Sequence, residues 1–262
     1  MQHPLRQARP ADPFLRVRME DPKIGAYAID GDHVAFLRTG RVSGETWVTA
    51  LGDDPARILA LIDELRVHGF DGVTVHDHVF EYLPDDIRGP DPGHWSLWEL
   101  TDELYLADCA TTADPRGASG SVGAHSMGEV VRLDPEDPRI DPLLAHSSSA
   151  YIYAGDPHVV EWRGITDGDA LVAVGARQAD AHDGAHLASI CTHPDSRGQG
   201  LGRAITASLA AEALKAGAPW VWLDMYADNA AAARTYRAVG FEEMGRYRSA
   251  LRDGPSSPAS EA

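Results

Sequence analysis

Residues 187–214 read LASICTHPDSRGQGLGRAITASLAAEAL. A strand-like apolar run enters a turn built on Gly198, Gly200 and Gly202, and the turn leads directly into an alanine-rich helix predicted over 201–216. Few local arrangements satisfy such a stretch. Glycine lets a backbone turn its N–H groups inward with no Cβ in the way. The start of a helix adds unpaired N–H groups and the positive end of a dipole. Together they form a socket for phosphate oxygens. The spacing is G-x-G-x-G. It lacks the Gly-Lys-Ser/Thr ending of a P-loop and is not the dinucleotide G-x-G-x-x-G.

The elements around this turn occur twice in the chain. In the second half, strand-like runs at 162–166 and 170–176 flank Asp167-Gly168-Asp169, a hairpin signal. A third strand at 185–192, the helix and a strand at 220–225 follow, and Gly217 and Pro219 stop the helix. In the first half, runs at 25–29 and 33–38 flank Asp30-Gly31-Asp32. A strand at 46–51 leads to a helix at 55–68, with Ile58, Leu59, Ile62 and Leu65 on one face, and Gly69 precedes a strand at 72–76. The offset between copies is 137 residues at the hairpins and 148 at the helix-ending glycines. The shared order points to an internal duplication with insertions in the second copy.

Composition narrows the classes. The chain has 262 residues, enough for two small domains. No run of eighteen apolar residues predicts a membrane-spanning helix, and the N-terminus has no apolar core of a signal peptide. Two cysteines, Cys109 and Cys191, make no disulfide framework, so a cytoplasmic location is expected. Only Lys23 and Lys215 are lysines, which with the alanine excess fits a GC-rich bacterial genome. The net charge of −17 argues against nucleic acid or an anionic membrane as a partner and permits a cationic substrate. The charge is uneven: residues 1–145 carry 13 basic and 26 acidic residues, residues 146–262 carry 10 and 14.

Arg197-x-x-Gly200-x-Gly202, after a strand and before a helix, resembles the pyrophosphate-binding motif of the GNAT superfamily of N-acetyltransferases. The family's second motif resembles residues 223–241, LDMYADNAAAARTYRAVGF, where a strand near Asn229 leads to a short helix ending in Tyr236 and Gly240-Phe241. The resemblance covers roughly residues 128–250. It implies acetyl-CoA as acyl donor, lying where strands 187–192 and 220–225 splay apart. The backbone at Ile190, Cys191 and Thr192 would pair with the pantetheine arm. Arg197, Gly198, Gln199, Gly200, Leu201, Gly202 and Arg203 would hold the pyrophosphate. Asn229 would bond the cofactor arm, and Tyr236 would be the general acid for the leaving thiolate, the two sharing one helix face. The acceptor would be a small-molecule or peptide amine attacking directly in a ternary complex. An alkylamine with a pKa near ~10 must first lose a proton. His186, at the start of the cofactor strand, is the candidate base, ahead of Glu161, His193 and Asp224. A binding module that senses acyl-CoA without turnover is the competing class.

Other patterns weigh less. Cys191 beside His193 suggests a thiol nucleophile, but a buried strand-end cysteine is the plainer reading. Ala124-His125-Ser126-Met127-Gly128 approaches a hydrolase elbow but lacks the first glycine and the strand–turn–helix context. His76-Asp77-His78 puts two histidines on one strand face, yet no further ligand pair shows metal spacing, so no metal is assigned. In the first half, Leu51-Gly52-Asp53-Asp54-Pro55 stands where the phosphate loop would be, with one glycine, two repelling aspartates and a proline lacking N–H. It reads as a helix start capped by Asp54. Trp95 and Trp98 are candidates to line an acceptor pocket. The expectation is an α/β protein of two tandem GNAT-like domains, each a mixed, mostly antiparallel sheet flanked by helices. Residues 1–110 form a degenerate copy, 111–127 a linker, 128–252 the catalytic domain and 253–262 a disordered tail.

Overall fold

The protein, described here as a computed structural model, is placed over residues 2–19, 23–39, 44–90, 92–101, 129–179 and 184–252. Cys109, the linker 111–127, the Ser126 segment and the tail 253–262 lie outside the described residues. The chain divides into two compact units. The first takes Met1–Leu97, Tyr226–Asp228 and Met244–Ala262; the second takes Trp98–Met225 and Asn229–Glu243.

In the first unit, helices α1 (Pro4–Ala8) and α2 (Pro13–Arg18) precede strands β1 (Ile24–Asp30), β2 (His33–Thr39) and β3 (Thr46–Leu51). Helix α3 (Pro55–Leu65) crosses to β4 (Gly72–His76), and short helices α4 (Asp77–Phe80) and α5 (Asp85–Arg88) follow. β1–β2 and β2–β3 are antiparallel, and β3–β4 are parallel. The start of α3 follows from its sequence. Asp54 accepts from the N–H groups of Ala56 (2.9 Å) and Arg57 (3.4 Å), and Pro55 fills the first turn. Its buried face is Ile58, Leu61, Ile62 and Leu65. Leu59, expected on that face, is only partly buried, because the spacing 3, 1, 3 selects Leu61.

Strand β5 (Gly93–Thr101) begins in the first unit and ends in the second. There follow β6 (Val131–Leu133), α6 (Ile140–Leu144), β7 (Val159–Asp167), β8 (Ala170–Ala179) and β9 (Ala185–Thr192). Helix α7 (Leu201–Lys215) crosses to β10 (Trp220–Tyr226), and α8 (Ala230–Arg237) leads to β11 (Glu242–Leu251). β6–β7, β7–β8 and β8–β9 are antiparallel, whereas β9–β10 are parallel. Both units therefore run through two consecutive antiparallel pairings, a crossover helix and a parallel strand, and the second has β6 as an additional antiparallel strand.

The chain's last strand returns to the first unit. Residues 247–251 of β11 pair antiparallel with β4 from Tyr247↔His76 to Leu251↔Gly72, and Ala250 lies in the first unit's core. The sequence boundaries had assigned this segment to the second domain. Conversely, Trp98 and Leu100 of β5 lie in the second unit's core with Leu223, Tyr236 and Phe241. Strand partnership is decided across long sequence separations, which local pattern does not encode.

The second unit buries its sheet on both faces. Ile205, Leu209 and Ala213 of α7 pack on one face, and Leu143, Leu144 and Trp162 on the other. Each fully buried leucine or isoleucine contributes on the order of 1.5–3 kcal/mol. Gly175 of β8 admits α7: a Cβ there would lie 2.6 Å from Ile205, 3.0 Å from Leu209 and 3.2 Å from Ile190. Gly175→Ala is expected to cost ~1–3 kcal/mol through overpacking. A lowered urea midpoint with unchanged slope would register it.

Candidate functional site

The site is built on the parting of two parallel strands. β9 and β10 pair only at Ala185↔Val221 and His186↔Trp222, although β9 runs on to Thr192 and β10 to Tyr226. On the other side of β9 the register jumps from Ala176↔Ala188 to Val174↔Cys191. Ser189 and Ile190 thus oppose Gly175 as a bulge. Ser189 takes φ 49°, a left-handed value that costs a non-glycine residue about 1–3 kcal/mol. Its hydroxyl compensates by donating to the Ile152 carbonyl (2.9 Å) and accepting from the Ile152 N–H (3.3 Å). The bulge re-aims the strand. Leu187 and Ile190 face the α7 layer, while Ala188 and Cys191 face the α6 layer, at a spacing of three rather than two. Past His186, the edge of β9 toward β10 makes no ladder bond with that strand.

The glycine turn follows. Gly198 (φ 76°) and Gly200 (φ 80°) are left-handed, and a Cβ on either would meet open space. The requirement is therefore backbone conformation, not steric room. Gly200 starts α7 with no side-chain cap, so the first N–H groups of a 15-residue helix are left for a ligand or water. Leu201 is buried and anchors the helix, while Gly198, Gln199, Gly200 and Arg203 are exposed. Arg197 is exposed and donates to the carbonyls of Thr192 (3.2 Å) and His146 (3.3 Å), tying the turn to the end of β9. A Cβ at Gly202 would lie 3.6 Å from Thr192 Oγ1 and 3.9 Å from Thr235 Cγ2, so the turn, β9 and α8 converge there.

Asn229 is the N-cap of α8; its Oδ1 accepts from the Ala232 N–H at 3.0 Å. It precedes the helix rather than sharing a helical face with Tyr236, because an asparagine before an alanine run satisfies an orphan donor. Tyr236 lies in the last turn. The N–H of Phe241 donates to the Tyr236 carbonyl and that of Gly240 to Arg237, both at 3.0 Å, with Gly240 at φ 102°. This is a Schellman ending, with Phe241 packed on Tyr236 at a ring separation of 6.1 Å. The Tyr-x-x-x-Gly-Phe pattern thus fixes the tyrosine ring, which also meets Trp98 edge-on at 6.4 Å. Burial pushes its phenol pKa up to about 12, so it stays protonated at neutral pH.

The base candidates fall in different environments. His186 is 1% exposed and stacks on Trp222 at 3.9 Å. Its Nδ1 faces Gln178 Oε1 at 3.1 Å; that oxygen only accepts, so Nδ1 carries the hydrogen. Nε2 is then an acceptor, 3.5 Å from the hydroxyl of exposed Tyr151. Gln178 and Tyr151 were not singled out in the sequence: the first is a cross-strand partner, and the second comes from a loop 35 residues away. Glu161 is buried between Arg163 and Arg177. Burial alone would raise its pKa, but the hydrogen bonds of Arg177 and Arg163 lower it overall, leaving an ion-paired carboxylate. His193 caps a 3-10 turn and meets His146 edge-on at 4.8 Å. Asp224 is half-buried on β10. The Cys191 thiol donates to the Leu143 carbonyl at 3.4 Å, and burial pushes its pKa up, away from a thiolate role.

In the first unit the corresponding strands do not part. β3 and β4 pair at Trp47↔Gly72, Val48↔Val73, Thr49↔Thr74 and Ala50↔Val75. Trp95 stacks on Tyr247 at 4.7 Å and donates to Ser249 Oγ at 3.0 Å, while Trp98 is core. His76 and His78, set aside as a metal pair in the sequence, are joined by Asp53 from the β3–α3 turn.

The parted strands, the uncapped helix and the crossover order define a class: the fold is that of the GNAT acetyltransferases. Residues 126–241 match the sequence model of the family described as Acetyltransferase (GNAT) family. A 61-residue stretch is 44% identical to the ribosomal protein bS18-alanine N-acetyltransferase of Escherichia coli K12, spanning 23% of this chain and 41% of that relative's length. Among solved structures, a GCN5-related N-acetyltransferase from Kribbella flavida aligns with TM-score 0.54 and 17% identity over 88% of this chain and 90% of that one. A putative GNAT-family acetyltransferase from Novosphingobium aromaticivorans aligns with TM-score 0.50 and 18% identity over 84% of this chain and 89% of that one. Among the described residues no helix is long and apolar enough to cross a membrane.

The raised phenol carries a titration signature. Unfolded tyrosine titrates near pH ~10, whereas folded Tyr236 holds its proton to about 12. The folded state binds that proton more tightly, so its contribution to stability is full below pH ~10 and is lost as pH rises through about 12. A phenolate absorbance titration of Tyr236→Phe should show one fewer late-ionising tyrosine than the parent.

Proposed function

We propose that the second unit is an acetyl-CoA-dependent N-acetyltransferase and that the first is a degenerate copy of the same domain. One observation carries the reading: the unpaired β9 edge ends in two left-handed glycines and an uncapped helix. Extended amide groups match the N–H and C=O groups of the strand edge, and a terminal pyrophosphate matches the N–H donors of the turn and helix start. The residues fit the acyl donor, whose thioester supplies the activated acetyl group. Backbone groups at Ile190, Cys191 and Thr192 would hold its arm, the N–H groups from Gly198 to Arg203 its pyrophosphate, and the Asn229 amide, beyond its capping oxygen, the adjacent part of the arm. Strand rise puts His186 about 20 Å from Thr192, at the closed end of the splay.

In this reading Tyr236, neutral at working pH, gives its phenolic proton to the departing thiolate. His186 takes the amine proton through Tyr151, since its own ring is buried. Holding amine and thioester together lowers the barrier by several kcal/mol, of the ~7–11 available to proximity. The acceptor is a small-molecule or peptide amine in a ternary complex. The named relative acts on an alanine amine, so an α-amino peptide belongs beside simple alkylamines in a substrate screen. Neither nucleic acid nor a membrane is part of the reading, and a cytoplasmic place suits a reduced, acidic chain.

Free-thiol release from acetyl-CoA with a panel of amines tests the activity. Tyr236→Phe should slow turnover by roughly 10²-fold or more with CoA affinity within a few-fold. Unchanged turnover would remove the general-acid role. Arg197→Glu should weaken CoA binding at least about tenfold by charge repulsion and a loosened turn. Tight CoA binding with no thiol release for any amine would instead establish an acyl-CoA sensor.

A further inference from the structure

We infer that the first unit carries a site for one divalent transition-metal ion of the Zn²⁺ type, formed by Asp53, His76 and His78. One ligand atom from each lies within 4.8 Å of the other two. The topology produces the cluster. β3 and β4 run parallel and in register as far as Ala50↔Val75, so their C-terminal ends open on the same side. Asp53 leaves the end of β3 just before the α3 cap, His76 ends β4, and His78 follows in α4.

The imidazoles are prepared for coordination. The rings of His76 and His78 stack at 5.7 Å and 21°. His76 Nδ1 lies 3.1 Å from the Gly52 carbonyl oxygen. A carbonyl only accepts, so Nδ1 carries the hydrogen and Nε2 presents its lone pair. Metal-binding histidines are commonly oriented in this way, by a backbone carbonyl on the far nitrogen. His78 Nε2 lies 3.8 Å from Asp53 Oδ1. Tetrahedral bonds of 2.0–2.2 Å put ligand atoms about 3.4 Å apart. Asp53 and His78 are both exposed, so packing does not hold their side chains at that separation.

Ligand chemistry selects the metal class. Two imidazoles and one carboxylate suit zinc and its first-row neighbours rather than magnesium or calcium, which take oxygen ligands. Three protein ligands leave a fourth position. The cluster lines a cavity of about 680 Å³ together with Arg9, Asp12 and Tyr247, with room for a fourth ligand. Two arginines, Arg9 and Arg246, also line the cavity, and Arg9 is committed to Asp12 (2.8 Å) and to the Asp32 carbonyl (2.7 Å). Tyr247 is wholly buried, and its hydroxyl has no hydrogen-bond partner among the described residues. A buried polar group without a partner is costly unless water or a ligand meets it. Under the tandem reading, Asp53 occupies the counterpart of the phosphate turn, so an anion socket has become a cation site. That comparison rests on the proposed duplication; the ligand geometry does not.

The test uses untagged full-length protein stripped with a chelator and titrated with Zn²⁺ by calorimetry, with Co²⁺ absorption as a second readout. One equivalent should bind with Kd on the order of 1 µM or tighter. The Co²⁺ bands should have the intensity of a low-coordinate site. Asp53→Asn and His78→Ala, both at exposed positions, should each weaken binding about tenfold or more, with unchanged circular dichroism showing an intact fold. Absence of stoichiometric binding, or an unchanged affinity in the double variant, would overturn the site. The readout is independent of thiol release, so failure of acetyl transfer and failure of metal binding are separate results.

Discussion

The constraint on which the second unit depends is the short life of one parallel pairing. β9 and β10 hold each other for two residues and then part. Backbone groups left without ladder partners are expensive unless something else satisfies them. The fold maintains the opening with specific devices. The bulge at Ser189 turns β9 and is pinned by Ile152; Gly175 lets α7 close over the bulge; Gly198 and Gly200 deliver the chain into an uncapped helix start. Of these devices the left-handed Ser189 is locally unfavourable, and together they set an open strand edge and a helix start along one path. In the proposed reading, an extended acyl-CoA arm with a phosphate terminus is the ligand that this path would hold.

The first unit shows what the same order of elements does without those devices. Its parallel strands stay paired through four registered residues, and its crossover helix is capped by Asp54 behind Pro55. Between β3 and β4 no strand edge is left open over the paired residues. What the turn gains instead is Asp53, brought beside His76 and His78 by the parallel strand ends. The excess of acid in the first half of the chain fits this difference. The half read as holding phosphates is closer to balanced and sets Arg197 and Arg203 at its turn.

Much of this was legible in the sequence because it is local. The hairpins, the helix stops at Gly69 and Gly217, the Asp54 cap and the glycine turn all follow from short-range sterics and hydrogen bonding. Even Tyr236 is fixed locally, through a helix ending that needs glycine at 240 and an apolar residue at 241. Asn229 was also visible, but its capping role is a local necessity that a functional motif can conceal. Tyr151 and Gln178 were not legible, since only strand register and a loop 35 residues away bring them to His186.

The sequence by itself determined where glycine must be, which helix starts are capped, and which strand–turn–helix begins without a side-chain cap. These depend on covalent geometry within a few residues. Only the tertiary structure decided that β11 pairs with β4, that β9 parts from β10 while β3 stays with β4, and that Asp53 meets two histidines 23 and 25 residues downstream. Those outcomes depend on which strands pair and for how long. That is a competition among distant segments for the same hydrogen bonds and the same buried surface, and no short window of sequence contains it.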